Sequence, residues 1–129
     1  DEARSDMKII HATYWVLAAK RFGEIRESAP GGMGHAGEME TSVMLALHPE
    51  LVRTDSLEPD GEEQRCRFDH KDMLEPGQVG QFRLWNEWSS KGAIGDPTVA
   101  SAEKGELFIE AAVDSISELI EEFKAGRIG

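Results

Sequence analysis

The chain has 129 residues and a formal net charge of −11 at pH 7, and this length suits one domain or part of one. The acidity argues against a nucleic-acid partner, because binding to a phosphate backbone depends on clustered Lys and Arg. No apolar run approaches the roughly 20 residues that a membrane-spanning helix needs, so we expect no membrane partner.

The first predicted element is a strand from Met7 to Trp15, a short stretch with β-branched and aromatic residues around an apolar centre. Val16 to Phe22 fits either a short helix or the start of a loop. The segment from Gly23 to Gly34 contains Pro30 and several glycines, which predicts a flexible connection.

A helix is predicted from about Ala36 to Leu47, because Ala, Met, Leu and Glu favour helices and Pro49 follows. Leu51 and Val52 are expected to pack as the chain leaves this helix. The apolar side of the helix would consist of Met39, Val43, Met44, Ala46 and Leu47.

Thr54 to Trp88 is long, polar and rich in Pro and Gly, and a loop of this length is usually functional or pinned by partners. Within it, Gln81 to Trp85 is predicted as a short strand. Gly92 to Pro97 forms a turn cluster.

The last predicted element is a helix from about Ser101 to Lys124, closed by Gly126. Gly105 interrupts its first turns at a cost of about 1 kcal/mol relative to Ala, which a close approach of another segment would explain. Its broad apolar face would consist of Phe108, Ile109, Ala112, Val113, Ile116, Leu119, Ile120 and Phe123. One strand among so many helical residues indicates that part of the sheet lies elsewhere.

The chemistry-bearing stretch runs from Gly34 to Ser42 (GHAGEMETS), where a glycine-bearing loop becomes a helix. His35 fits a proton-transferring or carbonyl-polarising imidazole, or a structural histidine at a helix start. Glu40 fits a metal ligand, or a first-turn carboxylate stabilised by the helix dipole. Glu38 offers that same dipole interpretation. The unpaired N–H groups at the helix start would add electrostatic stabilisation.

Two blocks of sequence resemble the creatininase (creatinine amidohydrolase) family. The first is the Gly34 to Ser42 stretch, continued to Val52, and the second is Ala93 to Glu106 (AIGDPTVASAEKGE), with the Gly-Asp-Pro turn and Glu-Lys-Gly-Glu helix start of the family. The resemblance covers nearly the whole chain. It implies that residues 1–129 are the C-terminal portion of a single three-layer α/β/α domain with a mainly parallel sheet.

The resemblance further implies a metal-dependent amidohydrolase acting on a cyclic or linear amide C–N bond. In the family an N-terminal half supplies most ligands of a two-metal centre, and this chain has no such residues in that order. We therefore expect a divalent metal (Zn, Mn or Fe) ligated mostly by residues outside this chain, a complementary N-terminal segment or subunit, and a homo- or hetero-oligomer. Its substrate would be a small molecule.

By the same resemblance His35 is catalytic, Glu40 is a metal ligand that we prefer to Glu38, and Trp15 and Gly37 bind substrate. Trp15 equally fits a core aromatic at the end of a strand. A second substrate-contacting tryptophan of creatininase is replaced here by Gly31, which puts creatinine in doubt as the substrate.

The alternatives are a hydrolase of the same family that acts on a formamide or a cyclic ketone-type ring, and a non-catalytic structural or interaction subunit. Cys66, Asp69 and His70 make a weak metal pattern that we interpret as loop surface. Cys66 is the only cysteine, which excludes an internal disulfide framework and favours a cytoplasmic protein.

Overall fold

The computed structural model describes residues 7–61, 68–69 and 71–128. The helices are α1 (Tyr14–Leu17), α2 (Ala19–Ile25), α3 (Glu38–Leu47), α4 (Trp85–Trp88) and α5 (Ala102–Lys124). The strands are β1 (Met33–His35) and β2 (Ile94–Gly95), and short 3₁₀ turns occupy Pro49–Leu51, Thr54–Ser56 and Pro97–Val99. None of the helices in these ranges is long and apolar enough to cross a membrane.

The core forms where α3 and α2 pack against the long helix α5. Phe22 and Phe108 are buried, and their rings meet edge to face at 5.0 Å between centroids, a favourable geometry for two aromatic rings. Met33 and Met39 complete the buried centre. This cluster fixes the start of α3 against the first half of α5.

β1 and β2 pair antiparallel, with Met33 opposite Gly95 and His35 opposite Ile94. Asp60 adds an isolated bridge to Gly95. The sheet within the described residues is thus a small pair at one edge of the helices, and it places the two sequence blocks side by side.

The two long predicted helices are confirmed. Ser101 caps α5 by accepting a hydrogen bond from the Lys104 N–H at 3.2 Å. The helix α3 starts at Glu38, two residues after the predicted Ala36, because Ala36 has a left-handed backbone with φ of 49°. That conformation is uncommon for a residue with a Cβ and is incompatible with continuing a right-handed helix.

The predicted strand from Met7 to Trp15 is wrong. Residues 7–13 form no regular element, and α1 begins at Tyr14. Ile9 is 79% exposed, and no other strand pairs with this segment within the described residues. A β-branched run becomes a strand only where a neighbour pairs with it, since propensity by itself is a weak determinant.

The predicted strand from Gln81 to Trp85 is also wrong. Residues 81–84 are irregular, and Trp85 is the first residue of α4. Leu51, expected to pack, is 66% exposed. Val16 to Phe22 is helical, apart from the junction between α1 and α2. Cys66 and His70 lie outside the described residues.

Candidate functional site

His35 ends β1 and lies exposed just before the turn that begins α3. The turn is tight because the Gly32 carbonyl accepts hydrogen bonds from the Glu38 N–H at 3.2 Å and the Asp96 N–H at 3.0 Å. A Cβ on Gly37 would overlap that carbonyl. Gly37 is therefore required by a close approach of backbone to backbone.

The same hydrogen bonds bear on one of the N–H groups at the helix start, that of Glu38. The first N–H of α3, on Glu38, is bound to Gly32. It is therefore occupied within the fold and does not point free toward a substrate.

Glu40 lies in the first turn of α3 and lines a cavity of about 310 Å³ with Ala36, Thr41, Met44 and Arg53. Its Oε2 atom is buried and has no hydrogen-bond partner among the described residues. An unsatisfied buried carboxylate oxygen is costly. Such an atom suits a cation or a hydrogen-bond donor supplied from outside these residues.

Burial and the nearby negative charge of Glu40 both affect the pKa of the Tyr14 hydroxyl. Burial raises the pKa of the Tyr14 hydroxyl, and the negative charge of Glu40 raises it further. The start of α1 thus belongs to the surroundings of Glu40, which is a link that the sequence does not reveal.

Glu38 has a different role from Glu40. It is fully buried, accepts hydrogen bonds from the Glu27 N–H at 3.0 Å and the Ser28 N–H at 2.8 Å, and pairs with Lys104 Nζ at 2.8 Å. Burial acts to raise the pKa of Glu38, but Lys104 and the Ser28 and Glu27 donors outweigh it, so the pKa is lowered. Glu38 is a structural carboxylate that holds the turn.

Lys104 shows the matching response. Burial acts to lower the pKa of its ammonium, while hydrogen bonds and charges from Glu38 and Glu27 raise it, and the net direction is upward. The two shifts agree that the pair is ionised in the folded protein. Sequence reasoning missed this pair because its members lie in different sequence blocks, 66 residues apart.

Ser42 and Gly105 make the second junction between the blocks. The Ser42 hydroxyl donates to the Glu38 carbonyl at 2.6 Å and accepts from the Ser101 N–H at 3.2 Å. A Cβ on Gly105 would overlap the Ser42 carbonyl oxygen and crowd Ala46. The expected close approach at Gly105 is confirmed, and it lets α5 cross α3 at backbone distance.

Trp15 packs, partly buried, against the hydrophobic core. Its ring meets Tyr14 edge to face at 5.1 Å between centroids. These contacts account for Trp15 as a packing residue, and its role toward a substrate stays a prediction.

His35 lines a second cavity, of about 420 Å³, with Lys71, Asp72, Met73 and Trp85. Glu40 lines the first cavity, and Ala36 lies between the two residues in the chain. Within the described ranges, no three His, Cys, Asp or Glu side chains come together as a metal site.

Asp72 lies on one side of the cavity that His35 lines, which we call the histidine cavity. Its side chain is fully buried, pairs with Arg26 at 2.6 Å, and accepts hydrogen bonds from the Gly31 N–H at 2.7 Å and the Leu74 N–H at 3.0 Å. A lone Asp in a polar loop gave no sequence signal for this role.

Residues 1–120 match the family model of creatininase, described as creatinine amidohydrolase. The chain is 30% identical over 124 residues to creatinine amidohydrolase of Pseudomonas putida, covering 91% of this chain and 43% of that protein. It is 33% identical over 107 residues to 3-dehydro-scyllo-inosose hydrolase of Thermotoga maritima, covering 73% and 34%. It is 37% identical over 89 residues to mycofactocin precursor peptide peptidase of Mycobacterium tuberculosis, covering 67% and 32%.

Solved structures give the same fold. A creatinine amidohydrolase described as putative, from Bacteroides fragilis, superposes with a TM-score of 0.69 at 27% identity, covering 94% of this chain and 45% of that one. A manganese form of creatininase gives a TM-score of 0.63 at 27% identity, with 94% and 45% covered. A glutamate-to-glutamine variant of creatininase in a Zn-Zn form gives 0.63 at 26%, with the same coverage. The expected fold class, part of an α/β creatininase-like domain, is confirmed, and the chain spans less than half of each relative.

Proposed function

This chain belongs to the creatininase family, and from that premise we propose that it supplies part of the active site of a metal-dependent hydrolase. The bond cleaved would be a cyclic or linear amide C–N bond. The three relatives compared above are hydrolases by name. Amide hydrolysis and metal dependence are our extension to this chain.

The observation that carries the proposal is the buried Oε2 of Glu40, which has no hydrogen-bond partner in the described part of the chain. A carboxylate oxygen is a fitting ligand for Zn, Mn or Fe in a divalent state. The solved neighbours in Mn and Zn-Zn forms support a divalent ion here. When bound, such an ion polarises a carbonyl and lowers the pKa of a bound water.

His35 would act on the substrate itself. It is exposed at the end of a short paired strand, and its imidazole lines an open cavity. An imidazole there can donate a proton to a leaving nitrogen or hydrogen-bond to a carbonyl oxygen. By family resemblance, Gly37 and Trp15 would contribute to substrate binding.

A complementary segment or subunit completes the proposal. Pseudomonas creatinine amidohydrolase has more than half its length outside the matched region, since the chain covers 43% of it. On α5, Val113 is 56% exposed, Ile116 39% and Ile120 44%, and their spacing places them on one helix face. That apolar strip suits burial against further sheet or helix, either in the same domain or in an oligomer.

The relatives also favour a second candidate reaction. The Thermotoga relative is named for an inosose, which is a cyclic ketone. A Cβ on Gly31 would meet nothing within 4 Å, so the position that departs from creatininase leaves open space. Hydrolysis of a cyclic ketone-type ring, or of a formamide, is therefore the alternative to amide hydrolysis, and a non-catalytic subunit is the outcome if neither reaction occurs.

We place the protein in the cytoplasm because it has a single cysteine.

The test is hydrolysis by the native protein, purified with any segment or subunit that accompanies it. The protein is stripped with a chelator and reloaded with Zn, Mn or Fe, then offered creatinine, other lactams, a formamide, a short peptide and a cyclic ketone. We expect turnover of one class, lost on stripping and restored by metal. His35→Ala should lower it by about 10²–10⁴-fold.

The control is His48→Ala, because His48 is exposed and its ion-pair partner among the described residues is the exposed Glu50 at 3.3 Å. It should leave turnover unchanged. Hydrolysis that survives complete metal removal would contradict the metal-dependent proposal. A reloaded protein inactive on every class would favour the non-catalytic subunit.

A further inference from the structure

Trp85 lies against His35 although the two residues are far apart in the chain. The centroids of their rings are 4.9 Å apart and the ring planes are inclined at 82°. This is an edge-to-face pair, a geometry that aromatic rings prefer. Trp85 is half exposed, and both rings line the histidine cavity.

Hydrogen bonds to Asp60 hold the helix that carries Trp85. The Ser89 N–H donates to the Trp85 carbonyl at 3.0 Å, and the Ser89 hydroxyl donates to Asp60 Oδ2 at 2.7 Å. The Lys91 N–H donates to the same oxygen at 2.6 Å. The Ser89 hydroxyl, together with the Gly61 N–H and other donors, holds the pKa of Asp60 well below its usual range. The carboxylate therefore stays charged near neutral pH and keeps these donors in place.

Asp60 is in turn attached to the strand pair that carries His35. Its N–H and carbonyl exchange hydrogen bonds with Gly95 at 3.1 and 2.9 Å, and Ile94 lies opposite His35 in the pair. His35 is therefore part of the β1–β2 pair, and the helix of Trp85 is attached to the same pair through Asp60.

The other tryptophan of α4 is engaged differently. Lys71 Nζ lies 4.1 Å from the centroid of the Trp88 ring, and the Arg83 guanidinium lies 5.1 Å from it. These are cation–π contacts. Trp88 thus meets cations, while Trp85 is the ring that meets the histidine, and the two residues form a matched pair for experiment.

We propose that Trp85 is a positioning residue for His35, holding its imidazole in one orientation and forming the aromatic wall of the cavity into which it faces. The proposal rests on the proposed function. A substrate part that packs beside such a wall is flat or apolar, as in a small ring. Orientation matters because a displacement of about 1 Å in a reacting group can cost about 10²-fold in rate.

The test uses the native protein with Trp85→Ala, Trp85→Phe and the control Trp88→Ala. The first readout is the NMR signal of the His35 ring, assigned by its loss in His35→Ala. It should shift in Trp85→Ala, because a neighbouring indole contributes a ring current, and stay in place in Trp88→Ala. Trp85 is half exposed, so its truncation leaves the buried core intact.

The second readout is steady-state kinetics. We expect Trp85→Ala to lower kcat by about 10–100-fold with a smaller change in KM, Trp85→Phe to recover most of that loss, and Trp88→Ala to stay within threefold. An unmoved His35 signal in Trp85→Ala overturns the proposal. A moved signal with undiminished kcat overturns the positioning role. A wild-type protein without turnover is a failure of the proposed function instead. In that case the nuclear Overhauser contacts between the His35 ring and the backbone of β1 decide the positioning role: they should change in Trp85→Ala and stay in Trp88→Ala, and unchanged contacts in Trp85→Ala overturn the proposal.

Discussion

Lys104 and Glu38 form a buried ion pair, with 2.8 Å between Nζ and Oε1, that joins the two sequence blocks of the chain. The Glu38 side chain is fully buried, and that of Lys104 is 11% exposed. Lys104 also reaches Glu27 at 3.0 Å and hydrogen-bonds the Val99 carbonyl. A family block that looks like a catalytic signature therefore contains one carboxylate whose work is structural.

Lys104→Met should destabilise the protein by about 3–5 kcal/mol, because it leaves the buried carboxylate of Glu38 without its counter-charge. Urea denaturation of the purified protein measures the change in the free energy of unfolding. The control is Lys124→Met, since Lys124 pairs with Glu121 at 2.8 Å on the surface. It should cost less than about 1 kcal/mol. Equal effects for the two variants would mean that the buried pair contributes no more than a surface pair.

Acid should weaken the fold through Glu38. Its pKa is lowered in the folded protein from an ordinary value of 4.5, so its contribution is complete above that value and is lost as pH falls through the lower folded pKa. Lys104 has a raised pKa against an ordinary 10.5, so its contribution is complete below that value and is lost at higher pH. The free energy of unfolding, measured as a function of pH, should therefore fall in acid (the acid limb) and again in alkali (the alkaline limb).

In Glu38→Gln the acid limb below about pH 4.5 should become shallower. The comparison variant is Glu50→Gln, whose carboxylate is exposed and should leave that limb unchanged. If both variants keep the acid limb of the wild type, the loss of stability in acid arises at other carboxylates.

Gly105→Ala should destabilise the protein by about 1–3 kcal/mol, the usual cost of overpacking, although Ala is the better helix former by about 1 kcal/mol. The added Cβ would overlap the backbone oxygen of Ser42, which a small side-chain shift cannot relieve. Gly23→Ala, in α2, is the control, because its Cβ meets nothing within 4 Å. Thermal unfolding should rank Gly23→Ala at or above wild type and Gly105→Ala below it. A stabilised Gly105→Ala would show that α3 and α5 can separate without loss.

Glu40→Gln should lower both metal occupancy and turnover in the native protein. Changes around metal ligands typically cost about 10–100-fold in affinity or activity, and a direct ligand should cost at least as much. Elemental analysis of the purified variant, measured beside its melting temperature, checks this. If Glu40 only interacts with the helix dipole, the variant would keep its metal, and its free energy of unfolding would fall by less than about 1 kcal/mol. Glu50→Gln again serves as the exposed control.

The two long helices, α3 and α5, were predictable because their signals are local and periodic. The capping Ser101, the apolar spacing and the closing Gly126 lie within one segment, so α5 follows from that stretch of chain. The Met7 to Trp15 strand failed for the opposite reason. Its β propensity needs a pairing partner, and none lies beside it in the described part of the chain.

The candidate site was predictable as a list of residues and much less as an arrangement. His35, Gly37 and Glu40 were named from one contiguous block, and the structure puts His35 and Glu40 in different cavities. The partners of that block, Lys104, Asp72 and Trp85, come from distant segments. No hydrophobic periodicity links these three residues to the block. Irregular loops bring them close to it, and hydrophobic spacing does not encode the geometry of loops and turns.

The separation of 66 residues between Glu38 and Lys104 has a consequence for synthesis on the ribosome. The turn that precedes α3 is made before α5, so its buried carboxylate has no ammonium until residue 104 has left the ribosome. The Phe22 ring likewise waits for Phe108. Such long-range contacts slow folding and leave apolar surface open meanwhile. The nascent chain therefore carries an unpaired Glu38 and an uncovered Phe22 while the stretch between α3 and α5 is being translated, and this interval favours aggregation and proteolysis.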